Sequence, residues 1–235
     1  MFNCAIIKNR HIIASSSLAH PTVHPYHGFL EVFIMQQNMS SGKITSLLIL
    51  FMLPILGGNL FQHIYTMVDT FVVGNFVGVG ALAAVGATGA INFFILGFVI
   101  GLTAGFSVII SQKFGADDYQ SMRKAVAMSI ICSAVLSSIV TILAVGFAMP
   151  LLKILQTPQD IIGDAYAYLI VLYLGITATV FYNLFASILR ALGDSRSPLY
   201  FLLIASILNI LGDLVAVIQL QMGVMGVALA TIISQ

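Results

Sequence analysis

From Ile44 onward the chain is a succession of apolar blocks, each roughly 20 to 30 residues long and separated by short polar breaks. A hydrocarbon core about 30 Å thick is crossed by about 20 residues of helix, so each block is long enough to span a membrane. The pattern predicts spans over Ile44–Val72, Ala81–Ile110, Lys124–Met149, Asp160–Arg190 and Pro198–Gln219, with a sixth starting at Gly223 and running to the chain end. Between them lie Gly74–Gly80, Lys113–Arg123, Leu151–Gln159, Gly193–Pro198 and Gln219–Met222. Connections this short join neighbouring antiparallel helices. The expected fold class is therefore all-α, a multi-pass transmembrane helical bundle of about six spans.

The first stretch of the chain does not share this pattern. Residues 1–41 are polar, hold His11, His20, His24 and His27, and lack the apolar core of a secretory signal. They read as a disordered N-terminal extension, with residues 42–235 as the membrane part. The irregular histidine spacing suits a solvated tail better than a metal site.

Composition agrees with the pattern: 60% of residues are hydrophobic, 7% are charged and the net charge is +1. A soluble domain carries about 25% charged residues. No basic surface suggests nucleic acid, and no GxxxxGK[ST] motif suggests a nucleotide. Cys4 and Cys132 have no partner at redox or metal-ligand spacing. Charge placement also orients the chain. Lys8, Arg10, Lys43, Lys113, Arg123, Lys124, Arg190 and Arg196 fall on one side of the six-span layout and Lys153 alone on the other. Positive residues collect in the cytoplasm, so the N-terminus is expected there, in a plasma-membrane protein.

Polar residues inside the spans are arranged rather than scattered. Asn59, Gln62, Tyr65 and Asp69 share one side of the first helix, Ser206, Asn209 and Asp213 one side of the fifth, and the fourth adds Tyr168, Thr179, Tyr182 and Asn183. Converging, the three faces would enclose a polar chamber floored by two carboxylates. A single membrane amide is commonly interhelical glue, and Gln62 or Asn59 alone would mean no more than that. Asp69 and Asp213 differ, because a carboxylate within a span is costly and no Lys or Arg lies in either span to pair with it. Such groups handle protons or cations. Pro54 removes a backbone hydrogen bond fifteen residues before Asp69, and a hinge is expected there in the same helix. Gly97, Gly101 and Gly105 form a small-residue stripe on the second span, predicting close approach of a neighbouring helix.

Several runs in order carry a resemblance: Leu53-Pro-Ile-Leu-Gly-Gly-Asn-Leu-Phe-Gln62, Tyr65-Thr-Met-Val-Asp69, Val73-Gly-Asn-Phe-Val-Gly78, Ala81-Leu-Ala-Ala-Val-Gly86, Gln112-Lys-Phe-Gly-Ala-Asp117 and Arg190-Ala-Leu-Gly-Asp-Ser-Arg-Ser-Pro198. Together these resemble the multidrug and toxic compound extrusion (MATE) transporters, prokaryotic branch, over about Gly42 to Gln235. The resemblance implies one lobe of a twelve-helix exporter that exchanges drugs or organic cations for protons or sodium ions, with no other cofactor. It also implies a cation or proton site at Asp69, Asn209 and Asp213, with Asn183 and Tyr168 contributing, and any sodium ion held at Asp69 and Asp213. Gln62 and Tyr65 would line the cavity, and the implied partners are the lipid bilayer, a small organic cargo of cationic character and a second lobe. The chain stops within the sixth span, so it reads as a fragment lacking that second lobe.

Two other readings compete. A lipid-linked-sugar flippase of the same superfamily would need a basic cavity, whereas the two charges within these spans are negative. An intramembrane aspartyl protease also needs two membrane aspartates, but Tyr65 stands four residues from Asp69 and Ile210-Leu-Gly-Asp213 departs from Gly-x-Gly-Asp. A transporter, not an enzyme, is the expectation.

Overall fold

The computed structural model describes residues 44–235, so the expectations for the N-terminal extension lie outside the described residues. Among these residues the fold is helical throughout, in seven α-helices: α1 Ile44–Val72, α2 Val79–Gly115, α3 Tyr119–Ile154, α4 Ile162–Leu174, α5 Ile176–Ala191, α6 Arg196–Leu214 and α7 Gly223–Ser234. Short π-helical segments, Val73–Val77 and Val215–Gln219, extend α1 and α6. Four helical stretches are long and apolar enough to cross a membrane, and the α4–α5 pair makes a fifth. The twelve residues of α7, about 18 Å of helix, stand where the sixth span was expected.

Two boundaries differ from the sequence expectation. The span expected over Asp160–Arg190 is broken into α4 and α5, which meet at a 49° bend. Gly175 sits at the break, and a Cβ there would overlap the Ile232 side chain of α7. The glycine thus admits the neighbouring helix into the corner. The connection expected over Lys113–Arg123 shrinks to the three residues between Gly115 and Tyr119, since α2 and α3 both run past those charges. Asp118 starts α3 by accepting the Ser121 N–H at 3.0 Å, the side-chain cap that replaces a missing intrahelical partner. Charges mark where the hydrocarbon ends, not where backbone hydrogen bonding does.

Packing joins α1 to α6, α2 to α3 and α5, α6 to α7, and α4 to α7. One core cluster draws Ala84, Ile91 and Val99 from α2, Ala144, Ala148 and Leu152 from α3, and Leu169, Tyr173, Ile176 and Val180 from the bent pair. A second gathers Val72, Val73, Ala81, Val217, Val224 and Val227 where the π-helical segments meet α7. Outward faces carry large apolar side chains such as Phe93, Phe94, Met67 and Ile142. In water such a surface would be a liability, and in lipid it is solvated.

The glycine stripe of α2 does not pack as expected. A Cβ built at Gly97, Gly101 or Gly105 would meet nothing within 4 Å. Close approach of α2 to α5 uses other residues of the helix, and the stripe faces open space among the described residues.

Candidate functional site

The helical period that puts Asn59, Gln62, Tyr65 and Asp69 on one side of α1 turns that side inward, toward a cavity of about 460 Å³. Tyr168 of α4 and Thr179, Tyr182 and Asn183 of α5 face the same space. Two of the three expected faces therefore converge on one chamber. Pro54 and Ile55 line it too, and Pro54 lies within an unbroken α1.

The α6 face sits beside this chamber rather than in its wall. Ser206 and Asn209 line a small adjoining pocket together with Gln62, Tyr65 and Tyr182. Asn209 and Asp213 are buried, Asp213 completely. The expectation of a chamber floored by two carboxylates needs correcting: Asp69 opens onto the cavity, and Asp213 lies behind it. The physical reason is that α6 packs directly against α1, which buries Asp213 fully while Asp69 lines the cavity.

The link between these helices is polar. With its amide oriented to satisfy both ends, Asn209 donates to Asp69 Oδ1 at 2.9 Å and accepts from the Thr231 N–H at 3.3 Å. Asp213 has no hydrogen-bond partner on either oxygen, although its carboxyl lies within interaction range of Asp69. Two ionised carboxylates cannot bond to each other, because neither has a donor. A single proton on either one makes the Asp69–Asp213 hydrogen bond possible. Tyr168 lies close enough to both to feel their charge, and Tyr65 to feel that of Asp69. Asn183 donates to the Thr179 carbonyl at 2.8 Å, so its nitrogen is engaged with its own helix.

Several wall residues were not anticipated as site residues. Thr88 and Asn92 of α2 lie one helical turn apart, joined by an Asn92–Thr88 hydrogen bond of 3.4 Å, and their i, i+4 spacing was a readable signal. Tyr173 is buried with its hydroxyl unpartnered in the wall. Thr231 of α7 and Gln235, the residue after that helix, also line the cavity, and Thr179 bonds Gln235. Arg190, at the end of α5, also faces the cavity. The interior charges are thus not all negative, which removes part of the argument for purely cationic cargo.

The sequence model of the MatE family matches residues 54–215, which include the whole α1–α6 polar system. The chain belongs to the MatE family. Two curated relatives come from Bacillus subtilis (strain 168). One, described as "Probable multidrug resistance protein YpnP", is 34% identical over 200 residues, covering 84% of this chain and 44% of the relative. The other, "Probable multidrug resistance protein YoeA", is 27% identical over 86% of this chain and 44% of its own length. This MatE chain therefore spans less than half the length of the curated relatives it matches. A crystal structure described as MATE in the bent conformation superposes with a TM-score of 0.77 at 28% identity, over 82% of this chain and 43% of that one. A MOP superfamily transporter from Pyrococcus furiosus gives 0.73 at 30% identity, over 77% and 40%. MatE proteins are membrane transporters and not enzymes, so the intramembrane-protease reading is not favoured.

Proposed function

We propose that this MatE chain forms the cation-handling lobe of a multidrug exporter that exchanges protons or sodium ions for organic cargo across the plasma membrane, with its N-terminus in the cytoplasm. The observation that carries the reading is the pair formed by Asp69, bonded through Asn209 to two helices, and Asp213, buried beside it without a partner. The carboxyl oxygens of Asp69 and Asp213 suit a proton or a hard cation such as sodium. Relatives about twice as long, described as multidrug resistance proteins, support drug export and a second lobe that completes the pathway.

In this mechanism an ion arriving from outside neutralises the pair and, shared between Asp69 and Asp213, draws α1 onto α6. The Asp69 side of the cavity then loses its hold on a cationic cargo group, which leaves. Departure of the ion to the cytoplasm restores the charge. The ion shifts the balance only by as much as it prefers one conformation, so it must bind the two states unequally. Pro54 supplies the point at which α1 changes shape.

In cells making the protein together with its second lobe, Asp69→Asn is expected to abolish drug resistance while membrane levels stay unchanged. Resistance at the wild-type level in this variant would overturn the reading.

A further inference from the structure

Arg190 has no place in the ion cycle, yet its guanidinium faces the same cavity as Asp69. It donates a 3.2 Å hydrogen bond to the Ser187 hydroxyl, one turn back on its own helix, and lies near the Tyr182 phenol. Among the described residues the one ion pair is Lys113–Asp118, so no carboxylate answers Arg190. A basic residue ending α5 is explained by the helix dipole and the positive-inside bias. Neither explains why it points into the cavity half-buried with most of its five donors free.

The two kinds of charge are also separated. Arg190 directly precedes the turn that starts α6 at Arg196, and Asp213 lies one residue before that helix ends at Leu214. The nineteen residues of α6 span about 28 Å, so the guanidinium and the aspartate pair stand toward opposite ends of the helix that flanks the cavity. The wall combines apolar side chains, among them Ile55, Leu96 and Leu202, with the uncharged polar groups of Asn59, Gln62 and Asn183.

We propose that Arg190 is an anion-binding subsite, and that the cargo class is zwitterionic amphiphiles. The carboxylate or phosphate of such a molecule docks on the guanidinium, its apolar body lies along the wall, and its cationic group turns toward Asp69. A planar guanidinium holds carboxylate or phosphate through paired hydrogen bonds that a lysine cannot reproduce. This rests on the cavity being the cargo site, as proposed above.

The test uses the protein purified with its second lobe in dodecyl maltoside micelles, an uncharged amphiphile, with rhodamine B and its ethyl ester as probes, read by fluorescence anisotropy. The two dyes share a cationic apolar body and differ in the free carboxylate. Wild type is expected to bind the acid about tenfold more tightly than the ester, Arg190→Gln to remove that preference without changing ester affinity, and Arg190→Lys to fall between them. Equal weakening of both dyes in Arg190→Gln, or no change in either, would overturn the subsite. Should Arg190→Gln fail to fold, the acid preference of Arg190→Lys, which keeps the charge and loses the fork, decides the matter by falling or staying. Adding phosphatidylglycerol to the micelles assigns the source of the anion. Loss of acid binding in wild type alone places a lipid headgroup on Arg190, and no loss places a free amphiphile there, both consistent with the subsite. Asp69→Asn separates this inference from the wider reading, since it should weaken both dyes and leave the acid preference intact. Absence of binding by either dye to wild type would remove the cargo reading and the subsite together.

Discussion

A carboxylate that no donor approaches inside a membrane needs something to neutralise it, and Asp213 is in that position. Asp118 shows the opposite case in the same chain. It lies outside the spans, and hydrogen bonding from Ser121, through its side chain and then its backbone N–H, holds its carboxyl below the ordinary value of 3.8. A carboxyl lowered in the folded state stabilises the fold above its unfolded pKa, and that contribution disappears as the pH falls through the lowered value. The start of α3 should therefore fray below about pH 4. In Asp118→Asn, amide exchange at residues 119–122 should become insensitive to pH over that range, once corrected for intrinsic rates, and an unchanged acid response would contradict the cap. At this scale Asp69, Asn209 and Asp213 were legible because carboxylates and amides at helical spacing within apolar runs stand out. Arg190 was not: a charge at a span end reads as a topology marker, and only the cavity reveals which way it faces.

Among the elements, helix existence followed from hydrophobic run length, and helix ends did not. The bend between α4 and α5 was hidden because Gly175 lies in an uninterrupted apolar run, with its reason, Ile232, fifty-seven residues away. Overpacking a tight contact costs about 1–3 kcal/mol. Gly175→Ala should accordingly lower thermal stability in detergent by that amount, and a second change, Ile232→Ala, should relieve most of the added strain in a double-mutant cycle. Additive losses would show that the contact does not set the bend. The glycines of α2 predict the reverse. Because a Cβ at Gly101 meets nothing, Gly101→Ala should leave stability unchanged or raise it by up to about 1 kcal/mol through helix propensity. A clear loss would mean that α2 packs more closely than described.

At the scale of the whole molecule, the helices enclose a cavity with a carboxylate pair toward one end and a guanidinium toward the other, wrapped in an apolar exterior. The class of fold was readable from composition and run length, and the convergence of α1 with the α4–α5 pair from polar spacing. Which carboxylate meets the cavity was not, since it depends on how closely α1 and α6 approach. The central claim is that the Asp69–Asp213 pair exchanges an ion for cargo. It is tested most directly by reconstituting the protein with its second lobe in vesicles and following cargo movement when a proton or sodium gradient is imposed. Wild type should move cargo against the ion flow, and Asp213→Asn should bind cargo yet fail to respond to either gradient. Gradient-driven transport at the wild-type rate in Asp213→Asn would contradict the account.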